Sequence, residues 1–297
     1  MSFILSRRAM LTATTAGLVC TLPAFAASVS KAAQLALTTS DGREVQVWRW
    51  TPRSRPIGTI AFSHGAASAP WKYDRLIGPW VKAGYIVLAP LHVDSTDHPR
   101  TADFKGLTSW KARIEDMRAL SQHIGGPYIA AGHSYGGLTA LTLGGAEAVV
   151  PDGVVAPLRD AKVIAVVAFS PPAPIPVLIT AAGYGALAVP ALIQTGTADL
   201  LPGMDQNGEG WRGHLAAYDA AAPGGNRYAM VLDGVDHYFG GAICEPTRPG
   251  PLKLREIARA ADTSILFLRA YGSASTVARR MLDARIGRHD GMDITHK

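Results

Sequence analysis

The chain has 297 residues, of which 48% are hydrophobic and 18% are charged. This balance is typical of a folded globular protein and excludes a disordered or fibrous one. The formal net charge of +6 is mild, and the sequence has no long run of Lys or Arg and no basic stripe interleaved with aromatic residues, so a nucleic-acid-binding footprint is excluded.

The first 26 residues predict an export signal. Arg7 and Arg8 precede an uncharged stretch over residues 9–27, and Ala24-Phe25-Ala26 supplies the small-x-small pattern that signal peptidase cleaves. The paired arginines resemble a twin-arginine signal, and a general secretion signal is the alternative. The stretch is too short and too rich in Thr and Ala for a retained anchor. We therefore expect a periplasmic or secreted protein that begins at Ala27, without stable membrane insertion.

The rest of the chain alternates strand-like and helix-like segments. A hairpin is predicted at residues 35–39 and 44–50, because these runs flank an Asp-Gly turn. Short apolar runs then alternate with stretches of helical period. The runs predict strands at 57–62, 85–89, 128–131, 162–169 and 191–195, and a last strand at 228–232. Helices are predicted at 73–83, after an N-cap at Ser109, at 136–148 and at 253–271.

This alternation predicts a single α/β domain over residues 33–285. Continuous apolar strands separated by helices are typical of a mostly parallel sheet with helices on both faces. No Pro/Ser-rich linker, internal repeat or charge block divides the chain. The last residues, 286–297, are polar, and we expect them to form a frayed C-terminal tail.

Ser134 lies in the sequence Gly132-His133-Ser134-Tyr135-Gly136, which fits a nucleophile elbow. A G-x-S-x-G match is weak by itself in a chain with 31 glycines, but this one follows a predicted strand and opens a predicted helix. The sharp turn would hold Ser134 in a strained backbone, and it needs glycine at positions 132 and 136 because side chains there would collide. We therefore predict Ser134 as a nucleophile.

A serine nucleophile needs a base, and the base must be held by an acid. In this topology the acid and then the histidine follow the serine along the chain, each after a strand. Asp199 follows the strand at 191–195, and His237 follows the strand at 228–232. Asp199 is therefore the predicted acid, and His237 is the predicted base.

Two N–H donors are needed to stabilise the oxyanion of a tetrahedral intermediate. The first is predicted to be the backbone amide of Tyr135, the residue after the nucleophile. The second should come from the loop after an early strand, where Ser63-His64-Gly65 follows an apolar run. We predict the amide of Ala66 as this second donor.

Two further acids could replace Asp199 in this role. Asp205 follows a Pro-Gly turn and could take its place. Asp236 adjoins His237, but neighbouring side chains on an extended segment point apart, so Asp236 is expected to be a solvated loop acid.

Several other polar residues are expected to lie outside the site. His289 and His296 come late enough in the chain to act as the base, but they belong to the polar tail. Cys244 is the only cysteine of the mature chain, so no internal disulfide can form. One cluster has metal-ligand residue types at a spacing that matches no known site, and a polar loop explains it better: His92, Asp94, Asp97 and His98.

Four segments together resemble the α/β-hydrolase superfamily, and within it the dienelactone-hydrolase-like and platelet-activating-factor-acetylhydrolase-like serine esterases. The resemblance covers roughly residues 45–270, and its segments are Phe62-Ser63-His64-Gly65, Gly132-His133-Ser134-Tyr135-Gly136-Gly137, Gly196-Thr197-Ala198-Asp199 and Asp236-His237. It implies acyl transfer on a small-molecule ester by Ser134, His237 and Asp199, without a metal or organic cofactor. Dienelactone hydrolases proper use cysteine as nucleophile, so their particular activity is not expected here.

The interval between the strands at 162–169 and 191–195 bears on substrate size. Its 21 residues begin Ser170-Pro171-Pro172 and leave room for one short helix, at about 177–187, rather than a multi-helix lid. A minimal lid predicts short or compact acyl groups. Amide cleavage, lyase chemistry and perhydrolysis use the same catalytic groups and stay open, as does a catalytically inactive binding protein.

Overall fold

The computed structural model describes residues 32–201, 203 and 208–297, so the predicted export signal lies outside the described residues. The strands are β1 (Ala33–Thr38), β2 (Glu44–Trp50), β3 (Gly58–Ser63), β4 (Tyr85–Pro90), β5 (Tyr128–His133), β6 (Val163–Phe169), β7 (Ala191–Gly196), β8 (Arg227–Leu232), β9 (Gly287–His289) and β10 (Met292–His296). They form one sheet in the order β1-β2-β4-β3-β5-β6-β7-β8-β10-β9.

Seven α-helices connect or flank these strands in the described part of the chain. They are α1 (Asp74–Lys82), α2 (Leu107–Ile124), α3 (Tyr135–Leu143), α4 (Ala181–Gly185), α5 (Ala216–Ala220), α6 (Leu254–Phe267) and α7 (Thr276–Asp283). A 3-10 helix, Gly210–Leu215, precedes α5. Within residues 32–201, 203 and 208–297, no helix combines the length and the apolar character needed to cross a bilayer.

The centre of the sheet is parallel and its edges are antiparallel. Strands β4, β3, β5, β6, β7 and β8 are parallel neighbours. The pair β1-β2 at one edge and the pair β10-β9 at the other run antiparallel to their neighbours. The predicted α/β fold is therefore confirmed. Because parallel strands end at the same edge, the residues that follow β3, β5, β7 and β8 are brought together there.

Each face of the sheet packs against its own set of helices. In β3, Ile60 and Phe62 join the core that includes Trp80 of α1, whereas Ala61 joins the core that includes Leu138 of α3. Successive residues of a strand point to opposite faces, so an apolar run supplies both cores at once. This explains why the central strands are continuously apolar rather than alternating.

Helix α2 begins at Leu107, two residues before Ser109, so the prediction of Ser109 as its N-cap is wrong. Gly106 is the cap residue, with a positive φ of 57°. The Ser109 hydroxyl instead donates to the Gly106 carbonyl oxygen at 2.7 Å, inside the first turn. The predicted apolar face of this helix is buried, including Trp110 and Ile114.

The segment between β6 and β7 contains one short helix, α4, as predicted, although it is shorter than residues 177–187. Thr180 caps it, because its hydroxyl accepts a hydrogen bond from the Gly183 amide at 3.0 Å. No multi-helix lid occurs within residues 170–190, all of which the structure describes.

Residues 286–297 form a hairpin of β9 and β10, so the prediction of a frayed tail is wrong. Strand β10 pairs with β8 from Met292 to His296, and β8 is therefore not the last strand. Ile294 is fully buried in the core that also contains Leu232 of β8. The apolar residues at positions 292 and 294 share one face of the strand, a signal that the polar composition of the segment concealed.

Candidate active site

Ser134 connects β5 to α3 in a left-handed backbone conformation, with φ at 54°. This conformation is strained for a residue that has a β-carbon, and it persists only where the surroundings hold it. The Ser134 amide donates to the Phe169 carbonyl oxygen of β6 at 2.8 Å, and its carbonyl accepts from the Leu138 amide at 3.1 Å. The backbone of Ser134 is therefore fixed from both sides, in the form of a nucleophile elbow.

The two glycines of the motif are required by close backbone approaches. A β-carbon on Gly132 would lie 2.1 Å from the carbonyl oxygen of Gly136. A β-carbon on Gly136 would lie 1.9 Å from the carbonyl oxygen of Ser63, at the end of β3. Both distances are far inside van der Waals contact, so no larger residue fits at either position. The elbow is thus pressed against β3, which leads into the loop of Ala66.

Asp199 and His237 meet at the same edge of the sheet. The Nδ1 atom of His237 lies 2.7 Å from Oδ1 of Asp199, and both side chains are buried. The other carboxylate oxygen, Oδ2, accepts from the hydroxyls of Ser170 at 2.5 Å and Thr195 at 2.9 Å. Burial by itself would raise the pKa of Asp199, but the contacts with His214 and His237 outweigh it and hold that pKa well below its ordinary value.

A second histidine, His214, lies against the same carboxylate. Its Nδ1 is 2.7 Å from the carbonyl oxygen of Pro171, and its Nε2 is 3.0 Å from Oδ1 of Asp199. The second contact has the distance of an ion pair but lies off the line of a directional hydrogen bond. Burial lowers the pKa of His214, but the contact with Asp199 outweighs burial and raises it. Sequence reasoning missed His214, because it lies in a 3-10 segment with neither a motif nor a regular period.

The peptide unit between Gly65 and Ala66 is oriented by Arg113 of α2. Arg113 donates to the carbonyl oxygen of His64 at 2.8 Å and to that of Gly65 at 3.3 Å. The N–H and C=O of one trans peptide point in opposite directions, so the amide of Ala66 points away from Arg113. Within the described residues, neither this amide nor that of Tyr135 donates a hydrogen bond. Both amides therefore have no acceptor among these residues.

A chain of hydrogen bonds joins this loop to the backbone of His237. The Gly65 amide donates to the Tyr73 hydroxyl at 2.9 Å, and that hydroxyl lies 3.0 Å from Nδ1 of His133. The Nε2 of His133 lies 2.9 Å from the carbonyl oxygen of His237. The carbonyl oxygen of His237 can only accept, so Nε2 of His133 carries the hydrogen, and Nδ1 of the neutral ring accepts from the Tyr73 hydroxyl. Burial lowers the pKa of His133, which keeps this ring neutral.

Comparison with solved structures identifies the fold. The chain is similar to the esterase domain of a Rhodothermus marinus protein, with a TM-score of 0.54 and 16% identity over 81% of this chain and 99% of that one. It is also similar to dienelactone hydrolase from Anabaena variabilis, with a TM-score of 0.57 and 14% identity over 81% and 98% of the two chains. Thermogutta terrifontis esterase 2, phosphoramylated by tabun, gives a TM-score of 0.57 and 15% identity over 82% and 97%.

The chain has the α/β-hydrolase fold. The expected resemblance to this superfamily is therefore confirmed at the level of the fold. No known family model matches the sequence. An uncharacterized abhydrolase domain-containing protein from Dictyostelium discoideum is 27% identical over 108 residues, which is 35% of this chain and 11% of that protein.

In this α/β-hydrolase fold, the three groups Asp199, His214 and His237 form the one set of potential metal ligands that the described residues bring within 4.8 Å of one another. Their spacing does not fit a metal. The Nδ1 of His237 and Oδ1 of Asp199 are 2.7 Å apart, whereas two ligands of a tetrahedral zinc ion, with bonds of about 2.0–2.1 Å, lie about 3.3 Å apart. Nδ1 of His214 also already donates to a carbonyl oxygen. The three groups instead contact one another, His237 through a hydrogen bond to Asp199 and His214 at the distance of an ion pair.

The residues after β4 that have metal-ligand side chains, within residues 92–98, do not form one site. Each of them makes its own separate interaction. Asp94 forms a two-point ion pair with Arg113, at 2.9 and 2.8 Å, and Asp97 pairs with Lys72 at 2.6 Å. His98 is half-buried and accepts from the Arg100 amide through Nδ1 at 3.1 Å. These side chains do not converge on one point in the described part of the chain.

His92 from the same cluster builds a second serine–histidine–aspartate arrangement. Its Nε2 lies 2.9 Å from the Ser63 hydroxyl oxygen, and its Nδ1 lies 2.7 Å from Oδ2 of Asp116. Arg113 also donates to the Ser63 oxygen, at 3.1 Å. All three members are 0% exposed. The arrangement supports the end of β3 from inside and is closed to a substrate.

Asp236, His289 and His296 have structural positions of their own and do not join Ser134. Asp236 accepts from backbone amides two and four residues later, at 3.2 and 2.6 Å, and pairs with Arg248 at 3.1 Å, so it supports a turn. His289 lies in β9 and His296 in β10, within the hairpin at the sheet edge. Asp205 lies outside the described residues.

A cleft of about 430 Å³ opens beside the predicted site. Its lining includes Ala66, the predicted oxyanion donor, and Tyr238, which follows His237. Lys72, Glu245 and the buried thiol of Cys244 add polar and sulfur groups to the wall. Another cleft, of about 220 Å³, lies at the start of α2 and includes neither Ala66 nor a neighbour of His237. Ser134, Asp199 and His237 do not line the first cleft, which is the candidate substrate site because Ala66 and Tyr238 connect it to the predicted site.

Proposed function

We propose that this protein is a serine hydrolase that cleaves carboxylic esters through a covalent acyl-enzyme. The observation that carries the proposal is the 2.7 Å hydrogen bond between buried His237 and Asp199 at the sheet edge that also presents Ser134 on a strained elbow. The likeness of the fold to solved esterases supports it. Fold alone does not determine a reaction, so the argument depends on these side chains.

The proposed reaction begins with the tautomer of His237. Asp199 is ionised and can only accept, so Nδ1 of His237 carries a hydrogen and Nε2 presents a lone pair. This nitrogen takes the proton of Ser134 as the hydroxyl oxygen attacks the ester carbonyl. Asp199 stabilises the imidazolium that forms. His237 then protonates the leaving alcohol, and water releases the acyl group by the same route.

The negative charge of the tetrahedral intermediate is stabilised by the amides of Ala66 and Tyr135. The fixed orientation of the Gly65–Ala66 peptide supports this assignment, because its carbonyl oxygen lies 2.7 Å from Nδ1 of His64 and accepts from Arg113 at 3.3 Å. Donors that are oriented before the reaction need no rearrangement when the charge develops. The amide of Tyr135 opens α3, so the positive end of the helix dipole acts on the same charge.

The test uses Ser134→Ala with Ser54→Ala, at an exposed position, as the matched control. Ser134→Ala should lower kcat on p-nitrophenyl acetate by on the order of 10⁶ and abolish labelling by a fluorophosphonate probe, because the attacking hydroxyl is lost. The control should match the wild type in both assays. Activity of Ser134→Ala within tenfold of the wild type, or no ester turnover by the wild type, would overturn the proposal.

We also propose that residues 1–26 direct export to the periplasm or the medium. The proposal is supported by Arg7-Arg8 and by the cleavage pattern Ala24-Phe25-Ala26. N-terminal sequencing of the exported protein should give Ala27 as the first residue, and a chain that still begins at Met1 would contradict processing. Replacement of both arginines by lysine should block export if the twin-arginine route is used, and normal export would indicate the general route.

A further inference from the structure

We propose that His214 is a positioning residue of this site, a buried imidazolium that keeps Asp199 ionised and oriented toward His237. The inference rests on the proposed function. Four groups surround the Asp199 carboxylate, two at each oxygen. Oδ2 accepts from Ser170 and Thr195, Oδ1 lies 2.7 Å from Nδ1 of His237, and Nε2 of His214 faces Oδ1 at 3.0 Å, the distance of an ion pair. A positive charge on His214 therefore acts on the same oxygen that orients His237.

The contacts of His214 determine its protonation. The carbonyl oxygen of Pro171 can only accept, so Nδ1 of His214, 2.7 Å away, carries a hydrogen. In a neutral ring, Nε2 would then present a lone pair to a carboxylate oxygen at 3.0 Å, in a site from which water is excluded. That contact is repulsive, whereas a second proton makes it an ion pair. The raised pKa of His214 agrees with this assignment.

The groups around His214 reinforce the role of Asp199. His237 is the nearest imidazole, with its ring centre 5.5 Å away, and His133 at the end of β5 also interacts electrostatically with His214. Both are cationic when protonated, and they oppose the charge of His214. On its own segment, Arg212 and Glu209 are exposed and pair with each other. Among the described residues, Asp199 has the largest effect in favour of the charged form of His214.

The charge of His214 has a consequence for the proposed base. A cation 5.5 Å from the His237 ring disfavours a second charge there. Removal of this cation should therefore shift the acid limb of the activity profile. We infer that His214 extends the active range of the site toward acid pH while it restrains the carboxylate.

The experiment compares pH profiles of kcat/KM for the wild type, His214→Asn and His214→Gln on p-nitrophenyl acetate. Asn can keep a donor near Pro171, Gln can keep a donor near Asp199, and both are neutral. Both should move the midpoint of the acid limb upward by about one to two pH units, from Coulomb interaction at an effective dielectric of about 20. Gln should retain the higher kcat. Equal losses at every pH with an unmoved midpoint would overturn the inference.

A second measurement does not depend on activity. The imidazole of His214, assigned by the loss of its signal in His214→Asn, is titrated by NMR in the Ser134→Ala protein. It should be protonated at pH 7 and lose its proton above the ordinary histidine value of about 6.5. A neutral His214 at pH 7 overturns the inference even if the ester assay succeeds. A protonated His214 in a protein without esterase activity supports the ion pair with Asp199 and overturns the proposed function instead.

Discussion

At the scale of single residues, the hydrogen positions in the site follow from groups that can only donate or only accept. The amide of Gly65 and the carbonyl of His237 are such groups, and they stand at the two ends of the Tyr73–His133 chain. The direction of each hydrogen bond between these two groups is therefore determined. The carbonyl of His237 is held by His133, and its imidazole is held separately by Asp199. The proposed base is thus restrained at both its backbone and its side chain.

The acid can be tested at this scale by Asp199→Asn, with Asp236→Asn as the control. The new amide would present a donor to Nδ1 of His237 and favour the wrong tautomer, so kcat should fall by about 10⁴. Asp236 contacts Arg248 and backbone amides rather than His237, so its variant should lose far less. Steady-state kinetics on p-nitrophenyl acetate measure both. A larger loss in Asp236→Asn than in Asp199→Asn would show that the acid is misassigned.

At the scale of elements, the hairpin of β9 and β10 completes the sheet beside β8. Strand β8 leads directly to the loop of His237, and β10 pairs with it over five residues. The loop therefore starts from an internal strand rather than from a sheet edge. Edge strands are the more easily frayed and mispaired, so the hairpin protects the register on which the position of His237 depends.

The hairpin predicts a contrast between two neighbouring substitutions in β10. Ile294→Ala should lower the free energy of unfolding by about 2–5 kcal/mol, because Ile294 is fully buried and its loss leaves a cavity. Thr295→Ala, at the exposed next position, should change it by about 0.5 kcal/mol or less. Urea unfolding followed by circular dichroism measures both. Equal effects of the two substitutions would mean that β10 does not pack on the core.

Some elements could be predicted from the sequence and others could not. The difference is how much of each structure is determined by residues that are neighbours in the sequence. The strands that end at the site were predicted because continuous apolar runs identify buried parallel strands whatever their partners. Strand β10 has two apolar side chains among polar ones, and its burial depends on pairing with β8, which is 60 residues away at the nearest matched pair. His214 was missed for the same reason, because its role depends on contacts with Asp199 and Pro171 that only the folded structure brings together. Ser134, by contrast, was found through glycines that the local backbone itself requires.

At the scale of the whole molecule, the cleft lined by Ala66 and Tyr238 is partly polar, and the described residues between β6 and β7 form no multi-helix cover. Its volume of about 430 Å³ is bounded by polar side chains such as Lys72, Thr96 and Glu245 together with small or cyclic apolar ones such as Ala67 and Pro246, and no long aliphatic side chain of the described residues lines it. The one short helix between β6 and β7 spans five residues. Such a site has little apolar surface for a long acyl chain, and each CH₂ group left unburied forgoes about 0.8 kcal/mol.

We therefore expect kcat/KM on p-nitrophenyl esters, measured from acetate to palmitate, to be highest for short acyl groups. The rate should also show no jump at the micelle threshold, because no large lid has to open. The control is the same series with Ser134→Ala, which corrects for spontaneous hydrolysis. A maximum at about twelve carbons or more, or activation only above the threshold, would contradict the open and compact site.

The buried set of Ser63, His92 and Asp116 has a consequence for how reactivity arises in this molecule. It joins a hydroxyl, an imidazole and a carboxylate at 2.9 and 2.7 Å, and Ser63 ends a strand that pairs with the strand preceding Ser134. These contacts alone do not make a serine accessible to a substrate. Ser63 is fully buried and its oxygen already receives Arg113, whereas Ser134 is partly exposed. Ser63 thus serves as a natural reference for how inert a well-aligned serine is when no substrate can reach it.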